Sequence, residues 1–140
     1  MLLDEKYLPK VAFDGMNRVH SEELKIMNEL YGALEEGKPE EEIDKLFKLF
    51  LEDVKKHFSF EEELMQKTAF FAYPIHKGEH DRVLKELESL YKEWREKGDR
   101  EAVKRYLKEI FVPWLLQHIQ TMDTATAAYL VQRLGFIPFE

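Results

Sequence analysis

The chain has 140 residues, 21 basic against 28 acidic, a formal charge of −7 and no cysteine. That length is one domain's worth, enough to bury roughly 70% of the surface an unfolded chain exposes. The acidic balance speaks against a nucleic-acid surface, and the missing cysteines remove disulfides, thiolate metal sites, iron–sulfur clusters and a cysteine nucleophile.

The N-terminal MLLDEKYLPK lacks a basic region followed by an apolar run, and no stretch of about 18 apolar residues occurs anywhere. A soluble, intracellular protein of the cytoplasm is expected, with neither membrane nor nucleic acid as a partner. Residues 1–16 read as an arm. From about Arg18 to Glu36, His20, Leu24, Met27, Tyr31 and Leu34 recur at spacings of four and three, the stripe of an amphipathic helix. Gly37 and Pro39 punctuate, and an acidic first turn, Glu40 to Glu42, suits the positive end of a second helix. Its stripe is Ile43, Leu46, Phe50, Val54, His57, Glu61 and Leu64.

Tyr73 and Pro74 start a third helix, which lines up His76, His80, Val83, Leu87, Leu90 and Trp94 before Gly98. Asp99 is the expected N-cap of a fourth, with Val103, Tyr106, Ile110, Trp114 and His118 on one face. The tail after Asp123, TATAAYLVQRLGFIPFE, reads as a structural extension that either lengthens the fourth helix or forms a short fifth. Short connections favour antiparallel neighbours. The fold expected is therefore all-α: an antiparallel up-down-up-down four-helix bundle, with the arm at 1–16, the bundle at about 17–124 and a C-terminal helical extension at 125–140.

Counting from the turns at Gly37 and Gly98, each of the five histidines lies 17 to 22 residues along its helix. At 1.5 Å per residue all five share one level, roughly 25 to 33 Å from the same end. Each also lies on its helix's apolar stripe. A single histidine there is ordinarily a hydrogen-bonded core residue. Five at one level would leave several buried nitrogens without partners, at on the order of 1–3 kcal/mol each, and a metal taking the lone pairs removes that cost.

Two pairs have the i, i+4 spacing that stacks side chains on a helix, His57 with Glu61 and His76 with His80. His118 and Asp123 are five apart, which on an ideal helix turns the aspartate roughly 140° away. Either the helix is distorted there or the aspartate reaches sideways. With His20 these make seven ligands, five nitrogens and two carboxylates, a set that suits two first-row metals bridged by the carboxylates and favours iron or manganese over calcium or magnesium. The glutamate three residues before a histidine that marks ferritin-like bundles is absent, since Asn17, Val54, Tyr73, Lys77 and Leu115 hold those positions. The HExxH of zinc proteases is absent as well.

HFSFEEELM, YPIHKGEH and WLLQHIQTMD together resemble the hemerythrin signature, especially that of the bacterial members, from about Asn17 to Asp123. The resemblance implies two iron ions with an oxo or hydroxo bridge and no haem. One iron would be held by His76, His80 and His118, the other by His20 and His57, with Glu61 and Asp123 bridging. It implies reversible binding of dioxygen, or of another small diatomic or peroxide, for storage, delivery or scavenging, and thus a binding protein rather than an enzyme. Phe58, Trp114, Leu115 and Ile119 would line the pocket, as well as belonging to the core.

The chain departs from the pattern in three places. MNRVH stands where an aspartate and a glutamine are usual before the first histidine, and an N-terminal tryptophan is missing. Glu23 stands where a leucine normally faces the oxygen pocket. A carboxylate there makes Glu23 a candidate extra ligand or pocket acid, which favours the alternative of a di-iron redox enzyme, such as a peroxidase, oxidase or nitric-oxide reductase. An oxygen or iron sensor ranks third, for want of room for an output domain. Glu62 and Glu63 read as solvated surface.

Overall fold

The computed structural model describes residues 1–134, and the last six residues of the expected C-terminal extension, 135–140, lie outside them. Helices α1 (Asp14–Glu35), α2 (Glu40–Lys67) and α3 (Tyr73–Lys97) are each unbroken. The fourth rod is continuous but not uniform. It runs as α4 (Arg100–Tyr106), a π-helical turn at Leu107–Phe111, α5 (Val112–His118), a second π turn at Ile119–Asp123, and α6 (Thr124–Leu134). Among the described residues there is no strand, and no helix is long and apolar enough to cross a membrane.

The helix ends follow from local chemistry. Gly37 and Gly98 adopt φ of +69° and +64°, the left-handed turn that terminates a helix at little cost to glycine. The Asp99 carboxylate accepts from the Ala102 amide, capping α4 as expected. Helix α1 begins four residues earlier than its pattern suggests, at Asp14, because the preceding arm is anchored. The Asn17 side chain accepts from the Val11 amide at 2.8 Å and donates to its carbonyl at 2.9 Å, and Asn28 does the same for Leu3 at 3.0 and 2.9 Å. Two side-chain amides thus satisfy the arm's backbone while Val11 and Phe13 bury against the bundle.

Cross-helix contacts give the direction of each rod. His20 meets Glu61 and Glu23 meets His57, so α1 and α2 are antiparallel. Asp44 meets Tyr91 while Glu62 meets His80, so α2 and α3 are too. Glu86 with Tyr106 and Glu79 with Trp114 reverse the fourth rod against α3, and Lys104 with Glu35 closes it onto α1. The result is an up-down-up-down four-helix bundle. Its apolar interior, including Leu30, Ile43, Phe47, Phe50, Leu87 and Phe111, fills the end near Gly37 and Gly98.

The stripe of the fourth rod differs from the 3.6-residue expectation. Ile110 is half exposed at 50%, and Phe111, at 1%, occupies the core instead. Pro113 lacks an amide and its ring would strike the carbonyl of residue 109 in a regular helix. The turn just before it is widened, with the Val112 amide bonding the carbonyl of Leu107, and the extra residue rotates everything downstream. Accordingly, Phe111→Ala should cost about 3–5 kcal/mol in urea unfolding of the metal-free protein. Ile110→Ala should stay within about 0.5 kcal/mol.

Candidate metal centre

Each rod delivers its site residues through the periodicity of its own helix. His57 and Glu61 stack along α2, His76 and His80 along α3, and His20 faces them from α1. Asp123 reaches the same face as His118 because Ile119–Asp123 forms a π turn. The Thr124 amide bonds the Ile119 carbonyl five residues back, and the Thr124 hydroxyl bonds the same oxygen at 2.7 Å. Of the two possibilities open from the spacing, the structure has the distorted helix.

All seven side chains are buried, none more than 3% exposed, and every histidine turns Nε2 to the same interior point. The carboxylate oxygens divide between two groups of imidazoles. Glu61 Oε2 lies 2.8 Å from His57 Nε2 and 3.2 Å from His20 Nε2, while Oε1 lies 3.2 Å from His80 and 3.4 Å from His76. Asp123 Oδ2 is 3.0 Å from His20, and Oδ1 is 3.1 Å from His76 and 3.2 Å from His118. Two clusters result, each able to hold a metal ion: Glu61, His76, His80, His118 and Asp123, and His20, His57, Glu61 and Asp123. Glu61 and Asp123 belong to both.

Hydrogen bonding alone does not satisfy this donor set. Glu61 Oε1, both oxygens of Asp123 and Nε2 of His80 lack a hydrogen-bond partner among the described residues. His76 Nε2 and His118 Nε2 stand 3.1 Å apart, a separation at which two lone pairs repel unless a proton or a cation lies between them. Buried polar atoms are normally paired, and converging lone pairs of nitrogen and carboxylate oxygen fit a transition-metal cation.

The electrostatics agree. Burial opposes charging His57, but the carboxylates of Glu23 and Glu61 outweigh it and raise its pKa well above the ordinary value. Burial likewise opposes charge on His76, yet the carboxylates of Asp123 and Glu61 beside it lift it to about 9. Despite burial, the surrounding histidines hold both carboxyls well below the usual range, His57 foremost for Glu61 and His118 for Asp123. Without a cation the site balances its charge with protons, and a bound metal would displace them.

Nδ1 atoms of three histidines have partners behind the ring. His57 meets Glu23 Oε1 at 2.7 Å, His80 meets Glu62 Oε2 at 2.9 Å, and His76 meets the Thr126 hydroxyl at 2.8 Å. Such contacts fix the ring so that Nε2 carries the lone pair into the site. Two of these partners differ from the sequence expectation. Glu62 is not plain solvated surface but braces His80, whereas Glu63 is exposed and pairs with Lys67. The tail beyond Asp123 supplies Thr126. The signal that could have found Glu62 is its place directly after Glu61, one step around α2 towards α3.

Glu23 corrects an expectation more sharply. It is fully buried, but it lies on the Nδ1 edge of His57, opposite the Nε2 that faces Glu61, and neither cluster includes it. Antiparallel pairing explains this: with His20 opposite Glu61, position 23, one turn on, comes level with His57. As for the apolar candidates, Phe58 stacks on the His80 ring at 4.0 Å and Trp114 on His118 at 4.5 Å, while Leu115 and Ile119 are completely buried. Trp114 Nε1 donates to Glu79 at 2.8 Å, and Arg82, with that bond, holds the Glu79 carboxyl at about 2.

Known proteins share this arrangement of sequence. Residues 11–130 match the hemerythrin HHE cation binding domain. A bacteriohemerythrin of Aquifex aeolicus is 42% identical over 130 residues, spanning 93% of this chain and 98% of that protein. A myohemerythrin of Sipunculus nudus is 40% identical over 79 residues, 56% of this chain and 58% of the other. No solved structure gives a significant match. A five-histidine, two-carboxylate cluster inside a four-helix bundle, with a family match over most of its length, establishes that the chain belongs to the hemerythrin family, in its bacterial type.

Proposed function

We propose that the protein is a non-haem di-iron protein that binds dioxygen reversibly. His76, His80 and His118 would hold one iron and His20 and His57 the other, with Glu61 and Asp123 shared between the two positions. The observation that carries this reading is the division of the four carboxylate oxygens. For both carboxylates one oxygen is turned towards the three-histidine group and the other towards the two-histidine group. A single metal would give no reason for both to straddle the site.

When bound, a pair of irons supplies the two electrons that dioxygen requires. The chain contributes geometry and dryness. Glu61 and Asp123 hold the two positions at a fixed separation, and the unequal histidine count leaves the His20–His57 position with fewer protein ligands, hence room for an exogenous one. Phe58 and Trp114 stack on the His80 and His118 rings, and the buried Leu115 and Ile119 flank His118 on its helix, apolar surface that excludes water. Exclusion of water limits proton delivery, which favours release of dioxygen over its reduction. The redox-enzyme alternative drew on a carboxylate in the pocket. With Glu23 behind His57, the binding-protein reading is the better supported of the two.

Anaerobic loading with ferrous iron should give two irons per chain. Air should then produce a visible charge-transfer band that disappears under argon and returns on re-aeration. Immediate irreversible oxidation, or one iron per chain, would count against the proposal. Loading should also raise the melting temperature, since the metal binds the folded chain alone, and chelation should reverse the gain. In metal analysis, His20→Ala should keep the three-histidine iron and lose the other, while Glu61→Ala should weaken both.

A further inference from the structure

The proposed site uses seven ligands, yet the bundle buries an eighth ionisable side chain beside them. Glu23 is completely buried, with Oε1 2.7 Å from His57 Nδ1. Its Oε2 has no hydrogen-bond partner, and no lysine or arginine pairs with it among the described residues. A buried carboxylate with one imidazole as its sole partner among the described residues is expensive to keep ionised. Something in the working protein must compensate it.

The partners behind the other rings make the contrast. His76 is backed by a neutral hydroxyl, and His80 by Glu62, whose side chain is 18% exposed and screened by water. Only His57 is backed by a carboxylate wholly removed from solvent, and His20 Nδ1 has no partner among the described residues. Asp53, half-buried one turn before His57 on α2, has its carboxyl raised to about 6 by burial and then by the negative charge of Glu23. The unscreened charge therefore sits at the metal position that has fewest nitrogen ligands.

Resting on the di-iron reading above, we propose that Glu23 is a positioning residue for the two-histidine iron. It accepts the Nδ1–H of His57, aims Nε2 at Glu61, and its buried negative charge strengthens metal binding there and favours the ferric over the ferrous state. The ring transmits the effect, because a hydrogen-bonded imidazole is a more basic ligand. Glu23 also adds a third negative charge to those of Glu61 and Asp123 around two cations. A bound metal thereby offsets the cost of burying the carboxylate.

Two substitutions separate its two contributions. Glu23→Gln keeps an oxygen that can accept from Nδ1–H but removes the charge; Glu23→Leu removes both and leaves an apolar side chain suited to its surroundings. The measurements are iron retained per chain against a graded chelator and the midpoint potential by dye-mediated spectroelectrochemistry, with circular dichroism of the metal-free proteins as a check of folding. In Glu23→Leu the second iron should be lost at 10- to 100-fold lower chelator concentration, about the usual effect of removing an outer hydrogen-bond partner, while the first is retained. Glu23→Gln should keep two irons with a more positive midpoint potential, and this variant decides the matter should Glu23→Leu fold poorly. Unchanged retention and unchanged potential in Glu23→Gln, or in both variants, would overturn the role of Glu23. Fewer than two irons in the wild type would instead overturn the reading on which it rests.

Discussion

The constraint on which the rest of the structure depends is the burial of two carboxylates, Glu61 and Asp123, whose four oxygens have almost no hydrogen-bond donors other than imidazole. A buried anion that is not compensated costs several kcal/mol, so the surrounding helices must bring positive charge to a single point. His20, His57 and His76, whose pKa values are raised, do this with protons in the metal-free state, and cations can do it in their place. The bundle's geometry follows from that demand. Antiparallel rods bring His20, His57, His76 and His118 to one level, and the apolar interior occupies the length that remains.

The fourth rod shows how locally the demand is met. A regular α-helix would turn Asp123 away from His118, and a π turn costs hydrogen-bond quality. The chain accepts that cost and secures the turn with Thr124, whose amide and hydroxyl both bond the Ile119 carbonyl. The earlier π turn, before Pro113, is the reason that Phe111, Leu115 and Ile119 rather than Ile110 face inward. Departures from regular helix in this protein thus lie where a ligand or a proline requires them.

Much of this was legible in the sequence, for identifiable reasons. Helical periodicity is local, so the four rods and the shared stripe of His57, Glu61, His76 and His80 could be read from spacing alone. The five-residue step to Asp123 told of an irregularity but not of its form, because a distorted helix and a reaching side chain have the same spacing. Ile110 was misplaced because each widened turn shifts the count by a residue. Glu23, Glu62 and Thr126 were unreadable as partners of His57, His80 and His76, since each contact joins two helices and depends on their register. Glu23 drew attention as a carboxylate where a leucine normally faces the oxygen pocket, a candidate extra ligand or pocket acid. Its bond to the back of His57 relates that departure to the metal site without placing an acid in the pocket.

The central claim is that two metals share Glu61 and Asp123 across unequal histidine sets, and anomalous diffraction at the iron edge from crystals of the iron-loaded protein tests it most directly. The account predicts two peaks, one among His76, His80 and His118 and one beside His20 and His57, with an oxygen of each carboxylate directed to each peak. A single peak, or two peaks without Glu61 and Asp123 between them, would contradict it.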